Sequence, residues 1–318
     1  ARDTAVLNAD DDLCLKMADY SQAEHVCYVT MNPAHALVKE HIRAGGRAMV
    51  LEQGINGDMI TLYDNGTHFQ LVWTHQIPAT MDGKATHNVQ NAMFAAALAY
   101  SLNKSLDDIR HGLRSFNSTI FQAPGRMNVF DEHPFRVILD YGHNAAAIHA
   151  ICQLVDRLDV TARRICVLSA PGDRRDEDIR AIADEASAHF DHYICRADDL
   201  RRGRGDDEVP KMLADQLLNN GVDASAIEII PDELLSVARA LDMAQEGDLV
   251  VLFADDVDRS WNQVIHYEGD SVVASTQKDK KPSHSFVEED PEAFSLDSGA
   301  RLIRDERGVR LAREEESD

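Results

Sequence analysis

Cysteine is sparse in this 318-residue chain and never closely paired: Cys14, Cys27, Cys152, Cys166 and Cys195 are odd in number, far apart and without a Cys-x-x-Cys repeat. That excludes a disulfide framework and a zinc ribbon, and it fits a reducing, cytoplasmic setting. Long apolar runs are missing as well. The longest, Ala92 to Leu98, falls far short of a bilayer span, and no basic-then-apolar leader opens the sequence, so neither membrane insertion nor secretion is expected. Positive charge is in deficit, with 32 Lys and Arg against 55 Asp and Glu. A net charge of −23 repels phosphate backbones and anionic lipid, so no nucleic-acid or membrane partner is expected. There is no Walker-type loop, because Asp82-Gly83-Lys84-Ala85 has the lysine without the glycine spacing or the hydroxyl. The 14 histidines form no His-Glu-x-x-His pair, and no Gly-x-Ser-x-Gly elbow occurs, so no metal ligand is assigned within the chain.

What is present reads as an ordinary α/β protein with room for two domains, at 44% hydrophobic and 27% charged residues. Thr4–Leu7, His25–Thr30 and Arg47–Leu51 read as strands between helical patterns at 11–17 and 33–42. Met59–Tyr63 and His68–Trp73 flank Asn65-Gly66, a strong hairpin signal because both residues tolerate positive φ. Two helices follow, over 88–102 and, capped by Ser105, to Phe116. After a boundary at Phe121 to Gly125 the rhythm becomes doubly wound α/β, with strands at 127–130, 135–139, 164–168, 193–195, 227–230 and 249–253. From Glu268 to Asp318 periodicity is lost and acids outnumber bases by 14 to 8, which predicts a disordered tail. Because Ala1 is followed at once by a strand pattern, the chain is expected to begin inside a fold.

Five runs concentrate polar groups. Asn88 and Asn91, three apart on one helical face, suit an adenine edge or a substrate, although an N-cap and a solvated residue are the plainer expectation. Arg126, between Pro124-Gly125 and a strand, is placed to clamp phosphate, yet with so many carboxylates available an ion pair is expected first. Asp140 ends an apolar strand before Tyr141-Gly142-His143-Asn144, where open α/β sheets bind nucleotides; we read this loop as functional over the alternative of a helix N-terminal acid. The loop Ser169 to Asp178 offers backbone N–H groups to an anion or is simply solvated. Finally, Arg201-Arg202-Gly203-Arg204 either attracts an acidic polymer or is neutralised by its own Asp neighbours; lacking interleaved aromatics, it is not an RNA site.

In their order these runs resemble the ATP-dependent Mur ligase superfamily and, within it, the carboxy-terminal half of the cyanophycin synthetases. The resemblance covers about 4 to 268 and rests on Leu7-Asn8-Ala9-Asp10-Asp11, Thr86-His87-Asn88 with Asn91, Pro124-Gly125-Arg126-Met127, Asp140 to Asn144, Gly172 to Asp178, Asp199 to Arg204, and Gly247 to Asp256. It implies the C-terminal half of a Mur ligase central domain with a hairpin insertion over 1–122, lacking the P-loop. A Rossmann-like doubly wound lid over 123–268 and an acidic tail over 269–318 would follow. It also implies a reaction in which ATP activates a carboxylate and an amine forms the amide, with arginine joined to the β-carboxylate of poly-aspartate.

By the same resemblance Asn91 would meet adenine, Asp140 the ribose and Arg126 the phosphates. His87, Asn88 and Asn144 would belong to the nucleotide set, Arg126 and His143 to catalysis, and Asp173, Arg174 and Arg175 to the substrate side. Asn144-Ala145 replaces the Asn-Pro of many relatives. The ligands for Mg²⁺, the phosphate loop and the ATP-grasp region are expected upstream or on an equivalent subunit, and the chain alone is expected not to use ATP. The expected partners are that missing half, an acidic polymer, an amino acid and further copies of the chain in a homo-oligomer. A Mur-type ligase acting on a peptidoglycan precursor or folate, and a non-catalytic scaffold, are the alternatives.

Overall fold

The computed structural model describes residues 4–268 and, as backbone, 300–305 and 308–313. The larger compact unit, Ala1–Asp270, contains two sheets. The first joins β1 (Thr4–Asn8), β2 (His25–Thr30), β3 (Arg47–Gly54), β4 (Gly57–Asp64) and β5 (Thr67–Trp73) in chain order. β1 to β3 are parallel, crossed over by α1 (Asp12–Tyr20) and α2 (Ala36–Arg43), whereas β4 and β5 return antiparallel. Asn65 and Gly66 take φ of +48° and +76°, the left-handed pair that closes a tight β4–β5 hairpin. β3 and β4 form a second hairpin that the sequence reading did not resolve.

α3 (Thr86–Ser101) covers one face of this sheet because Val89, Ala92, Met93, Ala96 and Ala97 recur at helical spacing against Val29, Met49, Ile60 and Leu62. α4 (Leu106–Ser115) follows, its Ser105 cap accepting the N–H of Asp108 at 3.1 Å. α3 begins two residues before Asn88, so Ala85 and not Asn88 is its N-cap.

The second sheet comprises β6 (Asn128–Phe130), β7 (Arg136–Asp140), β8 (Arg164–Leu168), β9 (His192–Cys195), β10 (Ile227–Ile229) and β11 (Leu249–Phe253), ordered β10-β9-β8-β11-β7-β6. All are parallel except β6. Alternation along the strands feeds two cores. Ile138, Cys166, Leu168 and Val251 pack against α5 (Ala145–Val155), α6 (Asp176–Ala186) and α7 (Glu208–Asn219). Val137, Leu139, Ile165 and Val250 pack against α8 (Glu233–Met243) and α9 (Val257–Ile265), a helix absent from the sequence reading.

The two sheets share apolar contact. Ala85 belongs to the core of the second sheet and Met81 packs on it, presented by a bend in which Met81, Asp82 and Gly83 have φ of +49°, +58° and +81°. Lys84 pairs with Asp159 at 3.0 Å beside that contact.

In the second unit β12 (Ala300–Asp305) and β13 (Gly308–Arg313) pair antiparallel within the stretch expected to be disordered. The rest of that tail lies outside the described residues.

Candidate active site

β7 ends on Asp140 at the carboxyl edge of the second sheet, where its side chain is 8% exposed. Oδ2 accepts the N–H of Met127 at 2.9 Å. The Met127 segment is locked from other directions too: Tyr141 donates its N–H to the Gly125 carbonyl at 2.8 Å, and buried Asn128 accepts the Gly125 N–H at 2.7 Å. Gly125 and Met127 have φ of +69° and +53°, so Arg126 stands between two left-handed residues. A Cβ on Gly125 would come within 2.7 Å of Val257 Cγ2, so the turn requires glycine for its conformation and for space. Burial pushes the Asp140 carboxyl up; the N–H groups of Met127 and Gly142 and the charges of Arg126 and His143 pull it back.

Arg126 is exposed, its guanidinium 5.9 Å from the Tyr141 ring centroid, and no carboxylate among the described residues pairs with it. This corrects the expectation of an ion pair. It contrasts with Arg163, Arg204, Arg239 and Arg259, each of which is paired. His143 places Nδ1 3.0 Å from the Tyr141 carbonyl, and Asn144 caps α5, its Oδ1 accepting the N–H of Ala147 at 2.9 Å. Arg126 and Tyr141 form one wall of a crevice of about 550 Å³, and Asp199, Asp255, Asp256 and Asp258 line it with them.

The start of α3 meets this region. Asn88 donates to the Ala79 carbonyl at 2.7 Å, its Nδ2 lies 4.0 Å from Met127 Sδ, and Asn91 donates to Asn88 Oδ1 at 3.2 Å. Both carboxamides also border an apolar groove of about 750 Å³ with Ile77, Ala92, Ala95 and Phe116. His87 has a buried Nδ1 without a hydrogen-bond partner, and burial lowers its pKa, which keeps the ring neutral at pH 7.

Asp173, Arg174 and Arg175 lie between β8 and α6 and do not line the Arg126 crevice. Asp173 is paired with Arg202, and Arg175 with Asp178 at 2.9 Å and Glu177 at 2.5 Å. Arg204 donates to the carbonyls of Gly172 and Arg174 and to Asp176, all at 2.8 Å, and pairs with Glu208. Arg201 is 3.3 Å from Asp206. The basic run therefore staples its own loops.

Sequence reasoning missed the ionic cluster of Arg196, Glu233 and Arg259 beneath the crevice. Its only sequence signals were an arginine directly after the apolar strand β9 and an acid at the first turn of α8. The described residues contain no group of three or more His, Cys, Asp or Glu arranged to hold a metal ion, so none is assigned to Mg²⁺. No helix among them is long and apolar enough to cross a membrane.

A doubly wound sheet with this crevice at its carboxyl edge, joined to a partly parallel sheet, is the architecture of a ligase family. Residues 125–255 match the Mur ligase, glutamate ligase domain, and the chain is similar to members of the Mur ligase superfamily. Within it the chain is similar to cyanophycin synthetases: 38% identical over 260 residues to that of Trichormus variabilis and 35% over 256 to that of Synechocystis sp.. Each match covers 80% of this chain and 28% of the relative, so the chain spans little more than a quarter of those proteins. Among solved structures, MurF from Acinetobacter baumannii aligns with a TM-score of 0.54 and 17% identity over 84% of this chain and 53% of its own. Mycobacterium tuberculosis folylpolyglutamate synthase complexed with ADP aligns with a TM-score of 0.54 and 15% identity over 83% and 64%. These two show the shared fold.

Proposed function

We propose that this chain forms part of an ATP-dependent amide-bond-forming ligase of the cyanophycin type, joining arginine to the β-carboxylate of a poly-aspartate backbone. The observation that carries the reading is Arg126: in a chain with 55 acids, its guanidinium is held beside a crevice, and no carboxylate among the described residues pairs with it. Such a group is poised for phosphate oxygens, to which its planar fork donates bidentately. Both cyanophycin synthetase names and the ADP-bound folylpolyglutamate synthase are consistent with it.

In this reading ATP supplies the phosphoryl group that activates the substrate carboxylate, and an amine displaces it. Arg126 neutralises phosphate charge, which favours a transition state richer in charge than the ground state. Asp140 keeps lone pairs for a ribose hydroxyl while holding the turn. Asn91 offers a carboxamide to the adenine edge, with Asn88 orienting it, and His87 and Asn144 complete that side. His143 spends its Nδ1 proton on the Tyr141 carbonyl, which leaves the Nε2 lone pair to accept a proton from the attacking amine.

The carboxylates of Asp199, Asp255, Asp256 and Asp258 suit a cationic amine such as arginine. Asp173, Arg174 and Arg175 would meet the polymer from the neighbouring loop. The phosphate loop, the Mg²⁺ ligands and an ATP-grasp region come, in this proposal, from polypeptide outside these 318 residues, and the working enzyme is a cytoplasmic homo-oligomer.

The test is calorimetry with ADP on the chain alone and joined to the polypeptide encoded upstream, followed by phosphate release from ATP with arginine and poly-aspartate. Turnover with diaminopimelate or glutamate in place of arginine would move the protein to another Mur branch. Absence of nucleotide binding in both forms would leave a non-catalytic scaffold.

A further inference from the structure

Three loops at the carboxyl edge of the second sheet meet on one buried carboxylate that the chemistry above leaves unused. Glu233, 1% exposed, accepts the N–H of Asp255 on Oε1 at 2.8 Å and the N–H of Asp256 on Oε2 at 3.3 Å. Oε1 also lies 3.1 Å from Arg196, and Oε2 pairs with Arg259. Arg196 is wholly buried and donates to the carbonyls of Phe253 at 2.6 Å and Ala197 at 3.0 Å, which joins the ends of β11 and β9. Arg259 carries the connection to Asp199 at 2.6 Å, and the Asp199 N–H returns to Asp255 Oδ2 at 3.2 Å.

A buried ion pair is a poor device for stability alone, since apolar side chains of equal volume often serve as well or better. What Glu233 supplies, and an apolar residue cannot, is two directed acceptors for consecutive backbone N–H groups. Those N–H groups belong to Asp255 and Asp256, and the ion-paired far end of the cluster is Asp199. All three line the crevice with Arg126.

We infer that Glu233 is the positioning residue of this carboxylate wall, fixing Asp255 and Asp256 through their backbone and Asp199 through Arg259 so that the wall receives a cationic amine. The inference rests on the crevice being the amine site, as proposed above. Glu233 itself does not touch the substrate. Its effect falls on amine affinity and leaves the nucleotide side, built on Asp140 and α3, unchanged.

The test compares wild type, Glu233→Gln and Arg259→Lys in the joined form by residue-resolved hydrogen exchange and by calorimetry with arginine and with ADP. In Glu233→Gln the Asp255 and Asp256 amides should exchange at least about tenfold faster while those of β1 to β5 and α5 keep wild-type rates. Arginine affinity should fall about tenfold and ADP affinity should hold. Arg259→Lys, on a partly exposed side chain, should free the Asp199 carboxylate and weaken arginine less; it decides the matter should Glu233→Gln not fold. Unchanged exchange at these amides, loosening spread evenly over the second sheet, or equal loss of arginine and ADP affinity would overturn the inference. If wild type binds ADP but not arginine, the amine reading of the crevice falls, and the exchange pattern by itself still decides whether Glu233 sets the wall.

Discussion

The carboxylate of Asp140 binds the backbone N–H of Met127 across 2.9 Å, so the acid that ends β7 and the left-handed turn that carries Arg126 move as one piece. A residue expected to wait for a ribose is thus already part of the scaffold that holds its neighbour in place. The site is preorganised from below, by backbone bonds, and left open above, where the guanidinium stands over Tyr141.

Replacing Asp140 by Asn keeps an oxygen for the Met127 N–H and removes a buried charge. Because burial raises the folded-state pKa of Asp140 above 3.8, the folded protein binds this proton more readily than the unfolded chain. The contribution is therefore destabilising once both states are ionised, and it sets in as pH rises through that interval. Asp140→Asn should melt at the same or a higher temperature than wild type at pH 7 while losing about tenfold or more in ADP affinity. A lower melting temperature with intact ADP binding would assign Asp140 to structure alone.

Arg126→Ala removes an exposed side chain that makes no ion pair among the described residues, so stability should change by less than about 0.5 kcal/mol in denaturant titrations. Nucleotide affinity in the joined form should drop by about tenfold to a hundredfold, as for loss of a charge-assisted bidentate contact. Arg126→Lys should recover little of it, since an ammonium cannot reproduce the fork.

Gly125→Ala forces a Cβ to within 2.7 Å of Val257 Cγ2 at a φ of +69°. A loss of about 1–3 kcal/mol is expected. Adding Val257→Ala should return the steric share and leave the conformational share, which a double-mutant cycle separates.

His87 gives the pH dependence of the α3 start. Its folded pKa is depressed below 6.5 by burial. Above 6.5 the ring is neutral in both states and costs nothing. As pH falls past that value the unfolded chain takes up the proton first, and stability is lost until the depressed pKa is reached. Chemical denaturation of wild type and His87→Gln across this range should show a shallower fall for the variant. Parallel curves would remove His87 from the titration.

Strands made of unbroken apolar runs were legible to the residue: β8 and β11 begin and end where Arg164–Leu168 and Leu249–Phe253 predict. α9 was not, because its cap Asp256 sits in Asp255-Asp256-Val257-Asp258, a run that reads as solvated loop, and it fully buries only Ser260 and Val264. The site was legible where chemistry is local, as in the Asp140 to Asn144 loop between a strand and a helix. It was illegible where partners are distant: nothing in the sequence ties Arg196 to Glu233. For Arg126 the abundance of acid argued for pairing, yet no carboxylate among the described residues pairs with its guanidinium, which stands between two left-handed residues.

Ala85 and Met81 precede α3, which covers the first sheet, yet their side chains lie in or against the core of the second. Melting either sheet strips this contact from the other, and on that coupling the pair should unfold as one cooperative block. Scanning calorimetry should record a single endotherm whose van't Hoff and calorimetric enthalpies agree for Ala1–Asp270.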